Sequence, residues 1–363
     1  MKFLSWILLI GIFLFIAGYV VNKFVASTVS EPIEASENYR EGKFYNTAPR
    51  EQPGFGKMMG VMTRWITAER TDPEPTKPLP LLPVTRAQLD ALNNDELHLV
   101  KLGHSSMLLK VYGDYWLIDP VFSDRASPFS FVGPKRFQST PISLQDLPPI
   151  AKVLISHNHY DHLDKGAITA LASKVEQFLV PQGVEGDLQK WGVDRAKIVN
   201  FAWWQELQTD KALLAFTPTQ HFSGRGLSDS NQTLWGSWVI KTAEESLYFS
   251  GDSGYFDGFK AIGEKYGPFD LTMLENGAYN VDWADIHMLP EEAVQAHIDL
   301  RGVTMLPVHN STFDLSSHPW YEPLERVTAE AAKQQVKLIT PLVGEVFTAK
   351  QVVVGEQWWL DIK

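Results

Sequence analysis

Apolar positions along the chain follow two regimes. Phe3 to Asn22 reads FLSWILLIGIFLFIAGYVVN, twenty residues without a charge. Wound as a helix at about 1.5 Å per residue, such a run reaches about 30 Å, the thickness of a bilayer's hydrocarbon core. A cleaved signal peptide has a shorter apolar region, about 7–15 residues, followed by a small-x-small site. Here the run passes into Val-Val-Asn-Lys, which predicts a retained single-pass anchor over residues 3–22. Lys2 before the run, and Glu31, Glu34 and Glu37 beyond Lys23, predict an N-terminus inside and the bulk of the protein on the extracytoplasmic side.

Residues 23–85 read as a tether, polar with scattered aromatics as far as 55. Met58, Met59, Val61, Met62, Trp65 and Ile66 then recur at near-helical spacing, with Lys57, Arg64 and Arg70 interspersed. That pattern predicts an amphipathic helix, either touching lipid headgroups or docked on the body of the protein. Pro73, Pro75, Pro78, Pro80 and Pro83 predict an extended strap. From about residue 96 the period shortens to strand-like runs: LHLVKL, SMLLKV, YWLID, KVLIS, ALLAF, WGSWVIK, SLYFS, TMLPV and later VVVG. Helix-compatible stretches such as Lys165–Val175 and Pro290–Leu300 lie between them, the latter opening with a Pro-Glu-Glu first turn. Strands interleaved with helices predict a layered α/β domain over residues 86–363.

Composition narrows the chemistry. The 363 residues carry 32 basic and 43 acidic side chains, a net charge of −11, which argues against a general nucleic-acid binder. There is no cysteine. Disulfides, thiolate metal sites and cysteine nucleophiles are therefore excluded, and any metal site must be built from imidazole and carboxylate.

The run Val153-Leu-Ile-Ser156 is followed by His157-Asn-His159-Tyr-Asp161-His162. On a helix, positions 157 and 159 would point about 200° apart; on a loop leaving a strand, the pairs 157/159 and 161/162 can turn toward two neighbouring points. Three imidazoles and a carboxylate within six residues are expensive to bury unless a cation satisfies them. Three more candidates each end an apolar run: His221 after LLAFTPTQ, Asp252 after LYFSG, and His309 after VTMLPV. Strand ends that deliver histidine and aspartate describe a site along one edge of a sheet. His157, His159 and His221 give three nitrogens to one ion, Asp161, His162 and His309 serve a second, and Asp252 can bridge both. Two ions about 3.5–4 Å apart can hold a hydroxide between them. The nitrogen–oxygen ligand set suits two zinc ions, with iron or manganese as alternatives.

These residues resemble the metallo-β-lactamase superfamily, whose hallmark is H-x-H-x-D-H with downstream His, Asp and His. The stretches GHSSMLLKV, LIDPVFSDRASPFSFVGPKRF, LPPIAKVLISHNHYDHLD, FTPTQHFSGRG, FSGDSGY, GPFDLTMLENGAYN and HMLPEEAVQAH look like its N-acyl-phosphatidylethanolamine-hydrolysing phospholipase D branch. The resemblance spans roughly Arg40 to Glu345. It implies a four-layer αββα sandwich with a dinuclear zinc site between the sheets, held by the seven ligands above. It also implies a further active-site histidine at His287, which stands with Asp161 as a catalytic candidate. Two departures are the chain's own membrane span and Leu274-Glu275-Asn276, more polar than the family's pattern before Gly-Ala-Tyr.

Around the ligands, Asp119 is placed to accept a ring N–H from a ligating histidine, with a turn former before Pro120 as the alternative. His104 is placed beside the site, against the alternative of a core histidine bonded to backbone. Lys135 and Arg136 are a weaker, exposed pair for an anionic head group. The expected function is hydrolysis of a membrane phospholipid phosphodiester, an N-acyl ethanolamine phospholipid or a relative of it, at the bilayer surface. A lactone or carboxyl-ester hydrolase is the second expectation, and a non-catalytic binding module the third.

Overall fold

Period-two apolar segments from Leu97 onward build two seven-stranded sheets in the computed structural model, which describes residues 16–33, 36–49, 55–67, 69–350 and 357–363. A small separate hairpin, β1 (Tyr39–Arg40) and β2 (Lys43–Phe44), precedes them. The first sheet has the order β16 (Val346–Thr348), β3 (Leu97–Gly103), β4 (Ser106–Val111), β5 (Asp114–Ile118), β6 (Ile150–Leu154), β7 (Val175–Pro181) and β8 (Ile198–Phe201). The second has the order β15 (Lys337–Leu338), β14 (Gly302–Val308), β13 (Phe269–Glu275), β12 (Ser246–Phe249), β11 (Ser237–Lys241), β10 (Leu213–Thr217) and β9 (Glu206–Gln208). In both, the early strands pair antiparallel and the later ones, from β5 to β8 and from β12 to β15, pair parallel.

Leu97, Leu99, Met107 and Leu109 of the first sheet meet Leu214, Phe216, Trp238 and Phe249 of the second. The outer face of the first sheet carries Val100, Leu102 and Leu108 against α4 (Lys165–Leu171) and α5 (Glu185–Lys190). The outer face of the second is covered by α6 (Gly258–Tyr266), α7 (Pro290–Asp299) and α8 (Glu322–Lys333). The result is the expected αββα order. Both faces of β3 and β4 are buried, which explains their near-continuous apolar runs. Burial of each large core side chain contributes about 1.5–3 kcal/mol.

Local signals set the helix starts. Pro290 opens α7, and the Glu292 carboxylate accepts the Leu289 N–H at 2.9 Å. Asp164 caps α4 by accepting the Gly166 N–H at 2.8 Å. That helix stops at Leu171 rather than running to Val175 as expected. A turn closes from Lys174 N–H to Leu171 O, and Val175 begins β7. Pairing of Val175 with Ile150 of β6 outweighs the local helical pattern of this segment.

The N-terminal region behaves differently from a free tether. A helix over 16–25 (α1) leads into a strip laid along the body: Asn22 donates to Ser228 Oγ, Ser27 N–H to Asp229 and Thr28 N–H to Asp187. Phe44 is fully buried between the sheets. The expected amphipathic helix is α2 (Phe55–Thr67), joined to the body by Arg64 and Asp282 at 2.6 Å. The proline-rich strap contains neither helix nor strand; Thr85 then caps α3 (Arg86–Asp90) reciprocally with Gln88. Most of the expected span 3–22, and the run VVVG, lie outside the described residues. Among the described residues, no helix is long and apolar enough to cross a membrane.

One core position opposes the rest. Lys101 shares the parity of Leu97 and Leu99 and is only 3% exposed, and burial pushes its ammonium down to about 8 from the usual 10.5. Below pH 8 both folded and unfolded chains hold the proton, so the full penalty is present, on the order of 3 kcal/mol. Between about 8 and 10.5 the folded chain releases its proton first, and stability rises with pH through that window. Lys101→Met is expected to stabilise the protein at pH 7 by a few kcal/mol, with less gain at pH 10, as denaturant midpoints at both pH values will report. An equal effect at both would refute the assignment.

Candidate metal centre

Every residue proposed to hold metal arrives at one edge of the sandwich, just beyond a strand. β6 ends at Leu154, and the Ser156 N–H bonds the Asp119 carboxylate at 2.7 Å, fixing the take-off of the histidine loop. The loop then turns back on itself, His162 and Leu163 N–H both bonding His159 O. This turn points His157 and His159 one way and Asp161 and His162 another. Arg225, buried, clamps the loop from outside by donating to Asn158 O and Leu163 O at 2.7 and 2.8 Å. His104, Asp119 and His309 take left-handed backbone, with φ of 52°, 40° and 64°. Each such non-glycine residue stores roughly 1–3 kcal/mol of strain, a cost that concentrates at functional sites. At Gly277 no side chain fits: a Cβ there would lie 1.6 Å from His309 O.

Two four-residue groups of ligand atoms result, each gathered within 4.8 Å: His157, His159, His221 and Asp252, and then His104, Asp161, His162 and His309; a smaller third gathers Asp252, Glu275 and His287. In the first, His159 Nδ1 lies 2.9 Å from His157 Nε2 and 3.2 Å from His221 Nε2. In the second, Asp161 Oδ2 lies 3.1 Å from His309 Nε2 and 3.0 Å from His104 Nε2. Asp252 stands between the groups. Its Oδ1 is 3.1 Å from His162 Nε2, while its Oδ2 is 3.2 Å from His309 Nε2 and 3.7 Å from both His157 and His221.

The seven expected ligands are thus brought together, and His104 joins them rather than bonding backbone through its ring. Asp119 lies behind them: its Oδ2 is 2.7 Å from His162 Nδ1, and it also accepts from Ser156 Oγ, which is 2.9 Å from His157 Nδ1. His221 Nδ1 is 2.9 Å from Ile286 O. Because Asp119 and Ile286 offer only acceptors, the rings of His162 and His221 carry protons on Nδ1 and present Nε2 inward. The expectation for Arg136 fails. It is buried, with its guanidinium spent on Val121 O and Ser123 O, whereas Lys135 is exposed.

The electrostatics report a site short of positive charge. Burial, then neighbouring imidazoles, pushes His157 well below its usual range; burial does the same to His221 against the pull of Asp252. His162 moves well above, and His309 up to about 10, because Asp252 and Asp161 outweigh burial there. Both carboxylates fall well below their ordinary range despite burial, chiefly through His162. Two buried acids are thus neutralised by two protonated imidazoles, the role a divalent cation takes when present. His162 Nε2 and Asp252 Oδ1 are also buried without a hydrogen-bond partner. Orphaned donors and acceptors of this kind, converging with imidazole nitrogens, fit a metal centre.

Residues 115–310 match the model of the Beta-lactamase superfamily domain. The chain belongs to the beta-lactamase superfamily. Among its relatives, an uncharacterized protein of Mycobacterium tuberculosis is 42% identical, over 92% of this chain and 90% of its own. The N-acyl-phosphatidylethanolamine-hydrolyzing phospholipase D 1 of Caenorhabditis elegans is 32% identical, over 89% of this chain and 98% of its own. Among solved structures, the metallo hydrolase Igni18 of Ignicoccus hospitalis has a similar fold, with a TM-score of 0.54 and 22% identity over 69% of this chain and 97% of its own. The chain is accordingly a metal-dependent hydrolase of this superfamily, with phospholipase D enzymes among its relatives.

His287 comes from the loop between β13 and α7; its ring centre lies 5.1 Å from that of His221 and 5.5 Å from that of His309. Sequence reading missed two residues here. Arg225 is one. The other is Glu275 at the end of β13, fully buried, with Oε2 3.1 Å from His287 Nδ1. The signal for Glu275 is its position: it ends a strand as Asp252 and His309 follow one, and nothing apolar would leave a carboxylate there.

Proposed function

We propose that the chain is a membrane-anchored, dinuclear zinc phosphodiesterase of phospholipase D type, acting on N-acyl-phosphatidylethanolamine or a closely related phospholipid. One observation carries the reading: the two oxygens of Asp252 face imidazoles of both ligand groups, as a residue shared by two ions would. His157, His159 and His221 would hold one ion, Asp161, His162 and His309 the other, and Asp252 both. When bound, such a pair lowers the pKa of water toward neutrality and offsets negative charge on phosphoryl oxygens. The chain's own residues do the rest. Asp119 keeps two ligand rings in register, Arg225 fixes the loop that carries four ligands, and His287 sits over both groups where a departing oxygen would pass.

Support for a lipid substrate comes from the C. elegans relative, named for that hydrolysis, and from the surface beside the site. A groove of about 760 Å³, lined by Phe24, Val25, Phe129, Tyr160, Lys165 and Trp191, runs along the histidine loop. Phe24 at the end of α1 is 77% exposed, and Leu227, whose N–H bonds the Asn22 side chain, is 87% exposed. Apolar side chains this bare, next to the expected anchor 3–22, suit a bilayer surface.

The test is product analysis by mass spectrometry with the full chain in phospholipid vesicles. Phosphatidate and an N-acylethanolamine are expected, turnover stopping on chelation and returning with zinc, and the chain is expected to stay with the membrane through alkaline washing. Zinc-loaded protein that cleaves no phospholipid but opens lactones would replace this reading with ester hydrolysis. Recovery in the wash would remove the anchor.

A further inference from the structure

We propose that Glu275 is a positioning residue that sets the orientation and tautomer of His287, making that ring the proton donor to the leaving group; this rests on the phosphodiesterase reading above.

Glu275 closes β13 with its side chain fully shielded, and a buried carboxylate needs donors on both oxygens. Its Oε1 accepts the Met288 N–H at 2.8 Å, and its Oε2 lies 3.1 Å from His287 Nδ1. One carboxylate therefore holds the ring of His287 and the backbone of the next residue together. The neighbours of His287 are pinned as well: Ile286 O takes the His221 ring N–H, and Met288 N–H also reaches Ser253 O. The loop is tied on both sides of His287 to residues around the ligand groups.

A carboxylate only accepts, so Nδ1 of His287 carries a proton, and Nε2 is the nitrogen free to face a substrate. In hydrolysis of a phosphodiester, the new P–O bond takes its oxygen from water and the P–O bond to the alcohol breaks. The departing oxygen takes the proton from Nε2. The attacking water releases its first proton to solvent and its second remains with the phosphate monoester, while the ring, still holding its Nδ1 proton against Glu275, recovers the Nε2 proton from solvent. Atoms and charge balance with no further reactant. Glu275 contributes by fixing which nitrogen is presented, without touching the substrate.

Glu275→Gln separates this role from a merely structural one. The amide oxygen still accepts Met288 N–H, but the amide NH₂ then faces Nδ1 and favours the opposite tautomer. Nitrogen-15 spectra of the zinc-loaded full chain, with His287 assigned by its loss in His287→Ala and read at a pH where the ring holds a single proton, should show that proton on Nδ1 in the wild type and on Nε2 in the variant. Metal content should stay at two equivalents. Turnover of a dialkyl phosphodiester should fall by about 10²–10⁴-fold, mostly in kcat, while a 4-nitrophenyl phosphodiester, whose leaving group needs no proton, should lose less than about tenfold. Equal losses on both substrates, an unchanged tautomer, or loss of a metal equivalent would each overturn the proposal, the last by making Glu275 a ligand. If the variant does not fold, an Nε2–H tautomer in the wild type overturns it as well. A wild type inactive on every phosphodiester would sink the reaction class instead, while the spectra still decide whether Glu275 sets the ring.

Discussion

Asp252→Asn is expected to lower turnover by about three orders of magnitude while the protein remains folded and able to hold one ion. The carboxylate faces imidazoles from both groups, Oδ1 toward His162 and Oδ2 toward His309, His157 and His221, so it is the side chain that both ions would share. Asparagine preserves its shape but replaces one oxygen by an amide nitrogen that has no lone pair for a cation, and it removes a full negative charge. The second ion contributes several kcal/mol of charge stabilisation to phosphoryl transfer, and about 4 kcal/mol corresponds to a thousandfold in rate. Elemental analysis should therefore fall from two equivalents toward one, with the thermal midpoint measured on metal-free protein nearly unchanged. Two tightly held ions together with a rate within tenfold of wild type would show that Asp252 does not bridge.

Much of this site is readable from the chain because its parts obey a local rule: each follows an apolar run short enough to be a strand. His157 to His162, His221, Asp252 and His309 announce themselves that way, and sheet geometry then brings the strand ends to one edge. What sequence does not carry is any interaction whose meaning depends on a distant partner. Glu275 reads only as a polar departure before Gly-Ala-Tyr until His287, twelve positions later, folds over it. Arg225 gains its role only because residues 158 and 163 turn their carbonyls toward it. Phe44 looks like an isolated aromatic in a polar stretch, yet the gap between the sheets takes it in completely. Arg136 errs in the opposite direction: a cation expected at the surface is drawn inside by two backbone carbonyls. The helix expected to reach Val175 fails for a related reason, since strand pairing of Val175 with Ile150 outweighs local pattern.

Asp119→Asn is expected to weaken metal binding about 10–100-fold at both positions, although Asp119 would touch neither ion. Asp119 is fully buried and supports one ring from each group: His162 directly, and His157 through Ser156 Oγ. It also receives the Ser156 N–H that sets the direction of the histidine loop. An asparagine can keep the backbone contact through its oxygen. Its NH₂ must then meet His162 Nδ1 and Ser156 Oγ, groups that were donors, so both have to reverse. Reversal at His162 places its proton on Nε2, on the lone pair a cation needs. Reversal at Ser156 withdraws the acceptor from His157 Nδ1 and frees that ring to rotate. With both reversed, a ligand is lost from one group and another is loosened in the other, which is why both affinities fall from a single substitution. Competition titration with a chromophoric chelator will read the two constants separately. A drop confined to one of them would mean that the Ser156 relay carries no weight, and no drop in either would mean that the rings are held by packing alone.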